Sequence, residues 1–193
     1  MILQKINVKI FLEKGADLPL KDFIPIFHRW IQQNKLEGLL IDVTEYTHVQ
    51  DGPGVLLIAQ EANYGLDESD GKRGFLYSQK RAGGKSDEDH LKTAFKRILQ
   101  ACAFFEGEAE IHGKLKFDPN HFQVLINDRL AAPNNTQSHE MLEGILKPFL
   151  DKLYSGAKYI LLHEKNLQKR TGFEVKVDSS ASFSYLLTRL GPN

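Results

Sequence analysis

The sequence contains little cysteine, no net charge and no long apolar run. Cys102 is the only cysteine among 193 residues, so the chain cannot form an intramolecular disulfide. The 25 lysine and arginine residues balance 25 aspartate and glutamate residues, so no overall field attracts nucleic acid or an anionic membrane. No apolar run approaches the roughly 20 residues that span a bilayer, and the first residues alternate like a strand instead of forming a signal peptide. We therefore expect a soluble, cytoplasmic protein that binds neither nucleic acid nor a membrane.

Signatures of metal, covalent and nucleotide chemistry are also missing. None of the seven histidines stands at a His-x-His, His-x-x-x-His or His-Glu-x-x-His spacing. There is no Gly-x-Ser-x-Gly motif, and Cys102 falls on the apolar stripe of a predicted helix, where a thiol is inert. Gly84-Lys85-Ser86 has the order of a phosphate-binding loop, but Gln79 stands where the first glycine of that motif belongs. We predict no cofactor and no metal.

Alternation and helical stripes predict a single α+β domain over residues 1–193. Ile6, Val8 and Ile10 alternate with Asn7 and Lys9, which is typical of a half-buried strand whose polar side faces solvent. Because strands outnumber helices and occur in runs, we expect a mixed, largely antiparallel sheet layered with about four helices. Helices are predicted from Asp22, from Ser86, from Gln137 to Tyr154 with a kink or a restart at Pro148, and after Ser180. Strands are predicted at 39–49, 55–59, 75–81, 114–117, 121–130, 159–163 and 173–177, with a loop over 65–74.

The predicted hairpin over residues 39–64 combines apolar runs with ionisable side chains. Residues 39–49 and 55–59 would form its arms, with a turn at residues 51–54. Buried charge is unfavourable unless it is paired, so acids between aliphatic runs indicate a hydrogen-bonded network or a site. On a regular strand the polar side chains of the first arm, Asp42, Thr44, Tyr46 and His48, share one face. A further carboxylate, Glu61, follows the second arm.

A second polar group stands at the end of a later apolar strand. Asn127, Asp128 and Arg129 follow an apolar alternation abruptly, and sites in open sheets often lie at such strand ends. Arg129 could bind a ligand carboxylate, or it could form a salt bridge with Asp42 or Glu61. The full candidate polar site is Asp42, Tyr46, His48, Glu61, Tyr77, Asn127, Asp128 and Arg129.

Several segments of the chain resemble a bacterial protein family of uncharacterised function. The resemblance covers mainly residues 22–81 and 126–130, and it implies a bacterial cytoplasmic protein without implying a substrate. The segments that carry it are Phe27–Gln32, Leu40–Val43, His48–Val55, Gly74–Tyr77 and Ile126–Leu130.

Two functional hypotheses follow. In the first, the chain is a non-catalytic domain that binds a small polar ligand, or a subunit that pairs through its sheet or helices with another protein or in a homo-oligomer. The hairpin acids then join residues 127–129 in a buried network. In the second, it is an enzyme that uses acid–base chemistry around Asp42, His48, Glu61 and Arg129, with Tyr77 nearby. The scattered basic pairs are opposed by Asp67, Glu68 and Asp70, which disfavours a nucleic-acid surface.

Overall fold

The structure is a computed structural model that describes residues 3–13, 18–46, 54–80 and 86–191. Within these ranges lie eight β-strands and four α-helices. In chain order they are β1 (Ile6–Leu12), α1 (Ile24–Gln33), β2 (Leu40–Glu45), β3 (Val55–Ala59), β4 (Ala62–Asp67), β5 (Gly74–Gln79), α2 (Asp87–Glu106), β6 (Phe117–Ile126), α3 (Thr136–Leu153), β7 (Tyr159–His163), β8 (Gly172–Val177) and α4 (Phe183–Leu190).

The strands form one sheet in the order β2-β3-β4-β5-β1-β6-β8-β7. Every pairing among the described strands is antiparallel, so the predicted α+β fold with an antiparallel sheet and about four helices is confirmed. The first strand of the chain, β1, lies in the middle between β5 and β6. The edge strands are β2 and β7.

The helices cover one face of this sheet, where the apolar residues of the strands form the core. Helix α2 packs on β1, β5 and β6, α1 packs on β2, and α3 and α4 pack beside α2. The Ser86 hydroxyl accepts a hydrogen bond from the Asp89 amide at 3.1 Å, and this N-cap begins α2 as predicted. We call the opposite side of the sheet, which carries Asn7, Lys9 and Gln123, the open face.

Strand β4 is the element that the sequence-based prediction missed. Its residues Gly65 and Asp67 fell within the predicted loop, but they pair with β3 and β5. A Cβ atom at Gly65 would lie 2.5 Å from the Val55 carbonyl oxygen, so this strand needs a glycine where it approaches β3. Glycine and aspartate are typical of turns, so the sequence alone does not distinguish a turn from a strand that needs glycine for a close contact.

Three smaller predictions are corrected. The two short strands expected at 114–117 and 121–130 are one strand, β6. Pro148 lies inside α3, so the helix does not restart there as one alternative had it, and the other alternative, a kink, stays a prediction. A short 3₁₀ helix (Leu20–Phe23) precedes α1, so Phe23 and not Asp22 occupies its N-cap position. Within the described ranges, no helix combines the length and apolarity needed to cross a bilayer.

Candidate functional site

A row of polar side chains crosses the centre of the open face. Lys9 on β1 lies directly opposite Gln123 on β6, and Gln123 lies opposite Glu174 on β8. Lys9 is only 3% exposed, although the alternation of its strand predicted a solvated side chain. The difference arises because β1 is a central strand with a neighbour on each side, and loops cover this part of the open face. These three residues form the floor of a cavity.

The first feature of the cavity is a buried ion pair. The Lys9 ammonium lies 2.5 Å from the carboxylate of Asp67 on β4, and the Ser69 hydroxyl donates a hydrogen bond to the same carboxylate at 2.5 Å. A Cβ atom at Gly74 would lie 3.0 Å from Cγ and Cε of Lys9 and 2.6 Å from the Ile10 carbonyl oxygen. Gly74 therefore leaves the space that the lysine stem occupies as it crosses β5 toward Asp67.

Glu174 is the centre of a second charged group. Its carboxylate lies 2.5 Å from the Lys72 ammonium and 2.9 Å from Nε2 of His121. Burial opposes ionisation of Glu174, but the hydrogen bonds from Lys72 and His121 outweigh it and lower the pKa of the carboxyl group. The Phe11 ring lies 4.5 Å from the His121 ring, and Lys72 lies 5.7 Å above the Phe11 ring in a cation–π contact.

Two loops close over the floor. Residues 68–73 and 164–171 meet where the Lys169 ammonium lies 2.6 Å from Asp70 and 3.5 Å from Glu164. The hydrogen bond with Asp70 raises the pKa of Lys169, so its ammonium stays charged. The loops and the floor line a cavity of about 160 Å³ that is open to solvent on one side. Its lining residues are Lys9, Phe11, Ser69, Asp70, Lys72, Gln123, Glu164, Lys169 and Glu174.

The lining presents three ammonium groups and three carboxylates, together with one amide and one hydroxyl. A cavity of about 150 Å³ holds a molecule the size of benzene, so this one suits a ligand of roughly six to ten non-hydrogen atoms. The paired charges suit a ligand that carries both signs. Among the described residues, no group of three histidine, cysteine, aspartate or glutamate side chains is arranged to hold a metal ion.

The residues of the predicted polar site lie outside this cavity. Two of them, Glu61 and Tyr77, lie near Arg97, which the prediction did not include. Tyr77 and Tyr64 are buried on the helix face, with ring centroids 5.2 Å apart. Burial raises the pKa of both phenols, and the nearby Arg97 guanidinium opposes that shift. The exposed Glu61 carboxylate lies 3.5 Å from Nη2 of the same arginine. Arg97 on α2, and not Arg129, is therefore the cation near Glu61 and Tyr77.

Residues 127–129 form a local loop network. The Asn127 amide donates to the Lys5 carbonyl at 2.6 Å, and the Asp128 carboxylate lies 3.2 Å from the Lys5 ammonium. A hydrogen bond from the Ala131 amide, together with Lys5, lowers the pKa of Asp128. Arg129 donates to the Gln168 carbonyl. These contacts hold the strand end to its neighbours.

The predicted link between this corner and the hairpin acids is therefore wrong. Asp42 is exposed on edge strand β2, and its carboxylate accepts a hydrogen bond from the Val43 amide at 2.8 Å. Tyr46 is 39% exposed just beyond that strand. Four strands separate β2 from β6, a distance of roughly 24 Å at about 4.8 Å per strand. His48 and most of the predicted turn at 51–54 lie outside the described residues, and the described members of the acid–base set share no cleft.

None of the cavity-lining residues belonged to the predicted site. The acids over 67–70 were expected to oppose the basic pairs of the sequence, and Glu68 and Asp70 do pair with Arg73 and Lys169. Asp67 instead pairs with Lys9, which that expectation did not include. What the sequence could not show is which lysine meets which acid, because the partners are 58 and 99 positions apart. The sequence features that could have indicated the cavity were Lys9 on the first strand and Gly74 at the start of β5.

No family model matches the sequence, and no curated protein is significantly similar to it. The resemblance to a bacterial family therefore stays a prediction.

Proposed function

We propose that this protein is a non-catalytic binding domain for a small zwitterionic molecule, which occupies the cavity on the open face. The observation that carries the proposal is the cavity of about 160 Å³ lined by three lysines and three carboxylates, with the almost fully buried Lys9 in its floor. A ligand with one anionic and one cationic group would find a complementary partner for each. We also propose that the protein is located in the cytoplasm. The single thiol of the protein, Cys102, is buried and forms no disulfide, which suits a reducing compartment.

Buried charges are the first argument for this proposal. An ion pair in a protein interior seldom adds stability over a pair of apolar residues of the same size, because removing both charges from water offsets their attraction. The Lys9–Asp67 pair is shielded from solvent on both sides, with side-chain exposures of 3% and 8%. A domain that needed only stability would be served equally well by aliphatic residues there. A ligand that uses the charged floor explains why the charges are present.

The balance of signs is the second argument. A site for an anion alone would hold an excess of cations, but each cavity lysine already pairs with a carboxylate. Lys72 and Lys169 pair with carboxylates of the lining, and Lys9 pairs with Asp67 beside it. Lys72 and Glu174 are the pair best placed to exchange partners, since Lys72 is half exposed and its distance to Glu174 is 2.5 Å. A zwitterion can insert between them, so that its anionic group binds Lys72 and its cationic group binds Glu174. No charge is then left unpaired.

The test is a binding screen of the intact protein with probes of matched size. Amino acids and betaines serve as zwitterions, acetate and phosphate as anions, and alkylammonium ions as cations. A zwitterion at about 100 times its Kd should raise Tm by roughly 5–10 °C, because binding to the native state adds about 2.7 kcal/mol. The anions and cations alone should produce smaller shifts.

Variants connect the screen to the cavity. Glu174→Gln and Lys72→Met should each weaken binding of the best zwitterion about tenfold or more in calorimetry, because each removes a charge-assisted hydrogen bond. Glu143→Gln and Lys147→Met are the matched controls, since this pair lies at positions i and i+4 of α3 and is absent from the cavity lining. A screen in which no zwitterion binds, or one in which both cavity variants bind as well as the controls, would contradict the proposal.

A further inference from the structure

The two edges of the sheet differ in how they are protected against pairing with another strand. Edge strand β2 carries Asp42 and Glu45, and its pairing with β3 has a register shift between Leu40 and Asp42. Charges and bulges on an edge strand discourage further pairing. Edge strand β7 has the sequence Tyr-Ile-Leu-Leu-His, with no charged residue and a regular register along β8. It lacks both forms of protection.

The outward backbone groups of β7 are identified by its hydrogen bonds with β8. The Asp178 amide donates to the Lys158 carbonyl at 2.7 Å, and the Glu164 amide donates to the Gly172 carbonyl at 3.2 Å. Pairing groups alternate along an antiparallel strand, so the even-numbered residues face β8 and the odd-numbered residues face away. The N–H and C=O groups of Tyr159, Leu161 and His163 therefore point out of the sheet edge. Within the described residues, β8 is the only strand beside β7.

We propose that β7 pairs antiparallel with β7 of a second copy of this chain, around a twofold axis through Leu161. In this register Leu161 pairs with its own copy and Tyr159 pairs with His163, and the outward backbone groups of all three residues form hydrogen bonds. The two sheets would join into one continuous sheet. A twofold contact of this kind closes on itself and adds no further copies.

Side-chain complementarity supports a second copy as the occupant. On the open face, Lys158 would lie opposite Glu164 of the other copy, and the twofold axis repeats this pair of opposite charges. Between the two charged pairs, Ile160 would lie opposite Leu162; these side chains are 60% and 49% exposed in the single chain. Both pairs occupy positions without backbone hydrogen bonds between them, where opposed side chains approach most closely. The strand is thus complementary to its own reverse.

Sedimentation equilibrium of charge variants tests this proposal. The unmodified protein should be a dimer at micromolar to tens of micromolar concentration. Lys158→Glu places two carboxylates opposite each other at both ends of the contact, so dimerisation should weaken about tenfold. Glu164→Lys should weaken it similarly, and the double variant should restore the dimer. Lys114→Glu, the same change at an exposed position after α2, should have no effect. Lys158→Glu is the cleaner single variant, since Glu164 also lines the cavity.

Hydrogen exchange locates the contact independently of any substitution. The amides of Tyr159, Leu161 and His163 should become more protected as the protein concentration rises. A protein that stays monomeric, a dimer that neither charge variant weakens, or concentration-dependent protection confined to other segments would overturn the proposal.

Discussion

Strands β1 and β2 both place polar side chains on the open face, yet the environments of those side chains differ completely. Lys9 in central β1 is 3% exposed and pairs with a carboxylate, whereas Asp42 in edge strand β2 is exposed to solvent. The sequence predicted the opposite, with Lys9 on a solvated strand face and Asp42 in a buried network. Position in the sheet makes the difference, because a central strand has neighbours on both sides and two loops cover this part of the open face. Alternating polar residues along a strand therefore indicate a site only where neighbouring strands and loops also surround those side chains.

The largest expected effect is on the buried ion pair. Asp67→Ala would leave the Lys9 ammonium buried without a carboxylate, which should lower the free energy of unfolding by about 3–5 kcal/mol. The matched change on the edge strand, Asp42→Ala, should alter it by less than about 0.5 kcal/mol. Urea denaturation of the two variants and the unmodified protein gives both values.

Adding Lys9→Met to Asp67→Ala sharpens this comparison. The double variant should recover part of the loss, because no unpaired charge then remains in the interior. Equal effects of Asp67→Ala and Asp42→Ala would show that the two strands do not differ as described.

The next largest effect concerns the glycine that makes room for the lysine stem. Gly74→Ala brings a methyl group 2.6 Å from the Ile10 carbonyl oxygen, so the free energy of unfolding should fall by about 1–3 kcal/mol. Gly144→Ala in α3 meets no atom within 4 Å and should raise it by about 0.5–1 kcal/mol. Thermal unfolding of the two variants should show Tm shifts of opposite sign. A neutral Gly74→Ala would mean that β1 and β5 are less closely packed at this point.

The smallest effect is a pH dependence centred on Glu174. Lys72 and His121 hold the pKa of this carboxyl group below its ordinary value of 4.5, against the opposing effect of burial. Because the folded pKa is the lower one, ionised Glu174 stabilises the fold above pH 4.5, and this contribution disappears as the pH falls through the folded pKa. The stability difference between the unmodified protein and Glu174→Gln should therefore shrink below pH 4.5. Urea midpoints from pH 3 to pH 7 measure it.

Glu143→Gln, at a partly exposed position of α3, gives the effect of removing a carboxylate outside the cavity. A stability difference for Glu174→Gln that grows on acidification would contradict the assigned direction.

Local patterns predicted much of the fold. The stripe and N-cap of α2, and the alternation of β1 and β8, follow from neighbouring residues, so the sequence was enough to predict them. Strand β4 was missed because Gly65 and Asp67 have turn-like composition, and their role depends on contacts with β3 and β5.

The cavity was beyond prediction for a related reason. It joins residues of β1, β6, β8 and two loops, and no local pattern shows that Lys9 meets Asp67 or that Lys169 meets Asp70. The candidate residues of β2 were selected because they share one strand face, and residues 127–129 because they follow the end of β6. The sheet order then separated them by four strands.

The most direct test of the central claim is an NMR titration of the best zwitterion from the screen, observed at the side-chain amide of Gln123. This amide lies in the cavity floor between Lys9 and Glu174. Its resonances, together with the backbone amides of residues 69–72, should shift and saturate with the Kd that calorimetry gives. Saturable shifts that leave Gln123 and residues 69–72 unchanged would place the ligand elsewhere and contradict the account.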